Sequence, residues 1–234
     1  MDTSQARFLE PLDVLFLRGN RLFGEAGSFG DSMLPPWPSV AAGALRSHVF
    51  AATGEILDDA ERFRLTDFRL ARRNADGIVE PLFAVPADLA LHDAAASGDV
   101  HVSALHPATP AAGIQGSFAL SHVPLLAADQ RAKPATGYWL SAAGWQQYLH
   151  GKVPAPAHLV SSKDLWKTDF RIGIGMDEHT RSAQDAKLFS MQAIAFAAGA
   201  GFWVGFAGSE EIGTDATLRL GGDGRGARMH TADP

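Results

Sequence analysis

The pattern of apolar and polar positions in the first 54 residues predicts a strand, a loop and a helix. Residues 8–17 are almost continuously apolar, which is typical of a central strand covered on both faces. The loop that follows contains four glycines, so its backbone can approach a ligand closely. Its glycines are Gly19, Gly24, Gly27 and Gly30.

The predicted helix begins at Ser39, whose hydroxyl is a candidate N-cap, and ends at Gly54. Its first turn is a candidate seat for an anion, because helix N-termini present unpaired backbone N–H groups. Small and apolar residues recur at helical spacing and predict one buried face. That face comprises Ala41, Ala44, Leu45, His48, Val49 and Ala52.

The next segment reads as a β-hairpin followed by a long excursion. The runs LTDFRLARR and IVEPLFAV flank Asp76-Gly77, a strong turn signal. The order β, α, β, β is that of the first two thirds of a ferredoxin-like or RRM-like domain, an antiparallel sheet with helices on one face. Residues 86–133 carry a weaker pattern and predict a long loop with one strand near residues 118–126.

Regular structure is predicted again from Tyr138. Residues 138–140 read as a short strand, Ser141 caps a helix that Gly151 closes, and residues 154–156 form a linker. The spacing of Trp145, Tyr148 and Leu149 places them on one face of that helix, which favours burial over stacking on bases.

The region that follows predicts strands rather than a membrane span. Residues 170–176 read as a strand. Residues 188–209 contain no charged residue and are long enough to cross a bilayer. The dense glycines favour a buried β-hairpin that turns at residues 199–201.

The last predicted strand, residues 217–220, runs into the glycine-rich stretch GGDGRG. A dinucleotide-binding fingerprint is excluded, because no βαβ unit surrounds these glycines and too few residues follow for a helix. With Arg219, Arg225 and Arg228 nearby, bare backbone amides and guanidinium groups suit an RNA backbone. A flexible end that binds nothing fits the residues equally well.

Charge and composition narrow the candidate functions. The net charge of −6 argues against a free-standing, non-specific nucleic-acid binder but allows a local groove lined by arginine. The absence of cysteine excludes disulfides, thiolate metal sites and a cysteine nucleophile. The N-terminus lacks the pattern of a secretory signal, so we expect a cytoplasmic protein.

Four sequence blocks, in this order, resemble the repeat-associated (RAMP) subunit three family of the Cmr effector complex in type III-B CRISPR immunity. They are EPLDVLFLRGNRLFG with PPWPSVAAGALRS, GYWLSAAGWQQYLHGKVP, LWKTDFRIGIGMDEHTRSAQDAKLFSM and LRLGGDGRGA. The resemblance implies an α+β fold of tandem ferredoxin-like or RRM-like domains with a glycine-rich loop. We expect a first domain over residues 1–134 with a long insertion, and a second over 135–234 that is truncated after that loop.

The resemblance also implies a function. Family members act without catalysis in antiviral defence: they hold the 5′ tag of the CRISPR RNA and link the large polymerase-like subunit to the backbone RAMP subunits. No metal, cofactor or membrane is implied. Carried over block by block, the RNA-binding positions are Arg18, Arg21, Ser39, Arg46, Arg171, Arg181, Gly222, Gly224 and Arg225.

The alternative is a metal-independent endoribonuclease that cleaves CRISPR repeats, since the same superfamily includes enzymes that use a histidine as general acid or base. The candidate histidines are His48, His101, His106, His122 and His179. His48 lies on the predicted buried face of the first helix, which favours a core role. A metal site at residues 177–179 is disfavoured, because consecutive side chains of a strand point to opposite sides.

Overall fold

The computed structural model describes residues 5–18, 29–57, 62–93, 100–109, 120–126, 133–177, 179–208 and 212–232. The chain divides into two compact units. The first unit combines Met1–Pro81 with Lys163–Pro234, and the second is the continuous segment Leu82–Ser162. The predicted boundary between residues 134 and 135 therefore lies inside the second unit.

The described residues form sixteen strands, three α-helices and one 3₁₀ turn. The helices are α1 (Pro38–Thr53), α2 (Ala142–Leu149) and α3 (Ser162–Leu165), and the 3₁₀ turn is Pro156–His158. The strands are β1 (Gln5–Pro11), β2 (Phe29–Gly30), β3 (Phe63–Arg73), β4 (Val79–Pro81), β5 (Phe83–Ala84), β6 (Leu89–Asp93), β7 (Val100–Ala104), β8 (His106–Ala108), β9 (Val123–Leu125), β10 (Tyr138–Leu140), β11 (Leu159–Ser161), β12 (Trp166–Met176), β13 (Ala183–Phe196), β14 (Ala200–Gly208), β15 (Ala216–Arg219) and β16 (Gly226–Thr231).

The main sheet of the first unit has six strands in the order β15-β16-β1-β14-β3-β4. Strand β1 lies between two antiparallel partners, so that Leu9 stands opposite Phe202 of β14 and Met229 of β16. These three side chains are fully buried. Strand β14 is buried along almost its whole length, and the centre of the core therefore follows the β1–β14 pairing.

The predicted first strand is confirmed as central, but it is shorter than residues 8–17. Strand β1 ends at Pro11, and the Leu12 backbone N–H donates to the carbonyl of Gly226. The chain then leaves the six-stranded sheet, and Leu15 exchanges two 2.9 Å backbone hydrogen bonds with Ile194 of β13. The apolar residues from Val14 to Leu17 are all buried, and Val14 and Phe16 pack on Ala193 of β13.

Helix α1 leads from β1 to β3, and β14 lies between those strands and is antiparallel to both. Strands β1 and β3 are therefore parallel. This sheet and its helix confirm the α+β class. The ferredoxin-like or RRM-like character of the domain and its tandem repeat stay predictions.

The N-cap of α1 is Trp37, so the prediction of Ser39 as the cap is wrong. Trp37 has an extended backbone, and Pro38 takes the first helical position, where a missing N–H leaves no hydrogen bond unmade. Gly54 ends the helix in a left-handed conformation, as predicted. The buried face consists of Ala41, Ala44, Leu45 and Val49, whereas His48 is half-buried and Ala52 is exposed.

A second sheet of the first unit, in the order β12-β13-β2, is dominated by a long antiparallel hairpin. The buried hairpin predicted over residues 188–209 is wrong, because β13 pairs with β12 and β2 while β14 pairs with β1 and β3. The residues on the two sides of Gly199 thus belong to different sheets. No helix among the described residues has the length and apolar character needed to span a bilayer.

The second unit contains three small sheets, β11-β10-β5, β6-β7 and β8-β9. The strand predicted near residues 118–126 is confirmed as β9, but the rest of residues 86–133 was predicted as loop and also contains β6, β7 and β8. Ser141 caps α2 as predicted and accepts a 3.2 Å hydrogen bond from the Gly144 N–H. Trp145 stacks on Phe83 with 4.9 Å between ring centroids, which supports its packing role, whereas Leu149 is exposed.

The close approach of β1 and β14 yields the first testable prediction. A methyl group at Gly201 would collide with the carbonyl oxygen of Leu9, whereas one at Gly43 of α1 would meet nothing within 4 Å. Gly201→Ala should lower the free energy of unfolding by about 2 kcal/mol or more, because a central strand has no room to shift. Gly43→Ala should raise it by roughly 0.5–1 kcal/mol through helix propensity.

Urea denaturation monitored by tryptophan fluorescence measures both values. An unchanged midpoint for Gly201→Ala would contradict the central position of the β1–β14 pairing.

Candidate nucleic-acid interface

An open groove of about 500 Å³ lies in the first unit, where α1 meets the glycine-rich turn between β15 and β16. One wall is α1, and a second is the segment that follows β1, which contributes Phe16 and Arg18. The third is the turn itself, with Gly222 and Asp223. The segment after β1 and the late glycine-rich turn therefore contribute to one site.

The α1 wall is built from small residues. Ser39, Gly43 and Ser47 line the groove at four-residue intervals, so they share one face of the helix. Two hydroxyl groups and a bare backbone position leave this wall open to a ligand. Gly43 and Ser47 were not predicted as site residues from the sequence. Their spacing of four and eight residues from Ser39 nevertheless indicates that they share its helix face.

The glycine-rich turn packs directly on the segment after β1. The Gly222 N–H donates a 2.8 Å hydrogen bond to the carbonyl of Phe16. Within the turn itself, the Leu220 N–H donates a 2.8 Å hydrogen bond to the carbonyl of Arg225. Gly221 has φ 77°, and a Cβ atom there would lie 2.8 Å from the Phe16 oxygen. Only glycine satisfies both conditions without a shift of the backbone.

The first arginine of the site, Arg18, forms an ion pair with Asp223 at 3.6 Å between Nη2 and Oδ1. Both residues line the groove, and about half of each side chain is exposed. Asp223 has φ 57°, a left-handed conformation that aspartate tolerates better than most residues. Solvent screens such a pair strongly, so it contributes little to stability.

The second arginine, Arg225, is held more firmly. Its guanidinium group forms a close ion pair with Asp13 and lies 5.2 Å from the centre of the Phe16 ring. The pKa of Asp13 is lowered, first by a 2.7 Å hydrogen bond from the Val14 N–H and then by the charges of Arg225 and Arg171. Arg225 thereby fastens the turn to the segment after β1.

Three of the predicted RNA-binding residues, Arg18, Ser39 and Gly222, line the groove together. Gly224 and Arg225 belong to the same turn, and Arg171 acts electrostatically on Asp13 while pairing with Asp169 at 2.9 Å.

The other predicted positions lie elsewhere. Arg46 extends over the Phe63 ring, 5.2 Å from its centre, and does not line the groove. Arg181 lies at the tip of the β12–β13 hairpin with φ 53°, in a turn fixed by hydrogen bonds from the N–H groups of His179 and Thr180 to Asp177. That tip begins roughly 20 Å along the strand from Arg171 at about 3.3 Å per residue. Arg21 lies outside the described residues.

Among the described residues, the five candidate histidines do not form a catalytic cluster. None of the five lines the groove. His101 stacks on His92 in the β6–β7 hairpin, and His122 contacts Ser121. Within the part of the chain that the structure describes, no three histidine, aspartate or glutamate side chains are grouped so that they could hold a metal ion.

Comparison with known families gives one match that covers almost the whole chain. The model of a family described as CRISPR-associated protein (Cas_Cmr3) matches residues 7–233. The resemblance drawn from the four sequence blocks is therefore confirmed. No curated protein matches the chain.

Two solved structures match the chain, and the first has a similar fold. One belongs to a type III-B Cmr-beta assembly bound to cognate target RNA and AMPPnP, with a TM-score of 0.51 and 16% identity. The other belongs to Cmr-beta bound to cognate target RNA, with a TM-score of 0.47 and 14% identity. Each match covers 98% of this chain and 64% of the solved chain, so this chain spans about two thirds of the length of those proteins.

The Asp13–Arg225 contact predicts a pH-dependent contribution to stability. Because the folded state lowers the pKa of Asp13, its contribution is complete at neutral pH and is lost as the pH falls below about 4. Asp13→Asn should therefore lower Tm by a few degrees at pH 7 and by much less near pH 2.5.

Differential scanning calorimetry at both pH values measures this difference. Asp76→Asn, which removes an exposed carboxylate from the β3–β4 turn, is the control for a change of surface charge. The same loss of Tm for Asp13→Asn at both pH values would contradict the contact.

Proposed function

The chain belongs to the CRISPR-associated Cas_Cmr3 family, and from that premise we propose that it is an RNA-binding subunit of a type III-B CRISPR effector complex. In this proposal it holds the 5′ tag of the CRISPR RNA and joins the large polymerase-like subunit to the backbone RAMP subunits. It acts without catalysis. The observation that carries the proposal is the convergence of Arg18, Ser39 and Gly222 on one groove.

The chemistry of the groove suits a single-stranded RNA backbone. The lining carries two arginines, Arg18 and Arg219, against one carboxylate, that of Asp223. A guanidinium group can grip phosphate oxygens through two parallel hydrogen bonds, and the glycines allow a phosphodiester to approach the main chain. The serine hydroxyls of α1 can donate to or accept from ribose and base edges.

The local charge of the groove explains how a chain that is acidic overall can bind RNA. The net charge is −6, yet the groove is lined by more cationic than anionic side chains. A subunit that shares a guide RNA with its neighbours needs only a short basic groove, because phosphate contacts fix the position of the strand rather than read its sequence. The acidic remainder is then available for contacts with other subunits.

The exposed face of the β12–β13 hairpin supports assembly with protein partners. Phe170, Ile172, Ile174 and Met176 alternate along β12, and all are more than half exposed. Leu188 of β13 stands opposite Ile174 and extends the same apolar face. A contiguous exposed apolar surface of this kind is typical of a site for protein contact.

The alternative remains a ribonuclease of the same superfamily. General acid or base catalysis requires a histidine within hydrogen-bonding reach of the bound phosphodiester. None of the five candidate histidines lines the groove, and this observation favours the non-catalytic proposal.

The groove predicts a specific loss of RNA affinity. Arg18→Ala should weaken binding of a guide RNA 5′ end by about 5- to 10-fold, because one charged hydrogen-bonding group is lost. The slope of log K against log salt should fall by about 0.7, the value for one phosphate contact on single-stranded RNA. Arg228→Ala is the matched control, since both arginines have a side-chain exposure of 52% and each forms an ion pair with an aspartate.

Fluorescence anisotropy on the full chain, with salt varied, measures both quantities. Equal binding by wild type and Arg18→Ala would contradict the proposed interface. RNA cleavage that persists with a chelator and is lost in His48→Ala or His179→Ala would instead establish the ribonuclease.

The apolar hairpin face predicts a defect in assembly. Ile172→Asn should reduce co-purification of the other Cmr subunits from the native host several-fold, because an amide would be buried in the contact. Ile78→Asn is the control, since Ile78 is also an exposed isoleucine, in the β3–β4 turn. Normal recovery of the complex with Ile172→Asn, alongside an unchanged Tm, would remove this face from the interface.

A further inference from the structure

The groove contains its own anion beside the arginine that is expected to bind RNA. The Asp223 carboxylate lies 3.6 Å from the Arg18 guanidinium group, and both line the groove. A carboxylate and a phosphate present similar acceptor oxygens to arginine. A phosphate that enters the groove therefore meets a guanidinium group that already has a partner.

The position of Asp223 is set by the backbone of its turn rather than by its ion pair. Gly221 and Gly224 on either side have φ angles of 77° and 64°. The adjacent Gly222 is tied to Phe16 by a 2.8 Å hydrogen bond. The carboxylate consequently stays at the edge of the groove whether or not Arg18 is engaged with it.

The geometry of the Arg18–Asp223 ion pair allows another anion to replace the carboxylate at Arg18. Its 3.6 Å separation is longer than a hydrogen bond, and both side chains are about half exposed. The Asp13–Arg225 pair in the same site is different, because its contact is closer and Arg225 is only 27% exposed and packed on Phe16. The two carboxylates of the site therefore differ. The Asp223 carboxylate can be displaced from Arg18, whereas the Asp13 carboxylate attaches the glycine-rich turn to the segment after β1.

We propose that Asp223 is a built-in competitor for the RNA phosphate at Arg18, and that it sets the affinity of the groove for single-stranded RNA. This inference rests on the proposed function. The incoming phosphate takes the place of the carboxylate at the guanidinium group, and no covalent bond changes. The competition acts on the phosphodiester alone, so it weakens binding of all sequences to the same degree.

Asp223→Asn tests the competition, because asparagine has the same shape and also tolerates the left-handed backbone. RNA affinity should rise by about 2- to 5-fold, the range that exposed ion pairs contribute. The salt slope should steepen by up to about 0.7. A uridine homopolymer and a guide 5′ end of equal length should gain equally.

Two further variants separate competition from a simple effect of net charge. Asp215→Asn removes an exposed carboxylate that is paired with Arg228, and it should leave RNA affinity unchanged. The double variant with Arg18→Ala and Asp223→Asn has the net charge of wild type. It should nevertheless bind RNA more weakly than wild type, because the guanidinium group that the phosphate would take over is missing.

The outcomes distinguish this inference from the proposed function. If Arg18→Ala weakens binding while Asp223→Asn matches wild type or binds more weakly, Asp223 is not a competitor and the RNA-binding proposal stands. An equal gain from Asp215→Asn, or wild-type affinity in the double variant, would also overturn the inference. If Arg18→Ala binds RNA as wild type does, the proposed function itself fails.

Discussion

The pairing of β1 with both β14 and β16 is the constraint on which the rest of the first unit depends. It places a strand from the start of the chain between two strands from its end. Because the glycine-rich turn leads directly into β16, the same pairing sets that turn against the segment after β1. The groove is a consequence of sheet order, since its walls come from segments that only this sheet brings together.

Features whose determinants lie within a few residues could be predicted from the sequence. Gly54 ends α1 because it adopts a left-handed conformation that other residues resist, and Asp76-Gly77 turns the β3–β4 hairpin for the same reason. Ser141 caps α2 because its hydroxyl reaches a backbone N–H three residues later. The convergence of Arg18, Ser39 and Gly222 followed from recognition of the family and not from local chemistry.

Features that depend on the choice of a distant partner could not be predicted. Strands β13 and β14 look like two arms of a hairpin, but β13 pairs with the preceding strand β12 and with β2, whereas β14 pairs with β1 and β3. Nothing local showed that residues 226–231 would lie beside β1. The predicted cap of α1 was wrong for a more local reason, because Pro38 takes the first helical position. The N-cap therefore lies two residues before Ser39, and Ser39 lies on the exposed surface of the helix.

The discontinuity of the first unit has a consequence for synthesis on the ribosome. The partners of β1 lie about 200 residues later, so at about 5–20 residues per second β1 waits some 10–40 s for them. During that interval Leu9 lacks its strand partners Phe202 and Met229, and Phe8 lacks Trp203 and His230. The intervening segment Leu82–Ser162 is complete first. The nascent chain therefore presents an apolar strand to chaperones before it can present a groove to RNA.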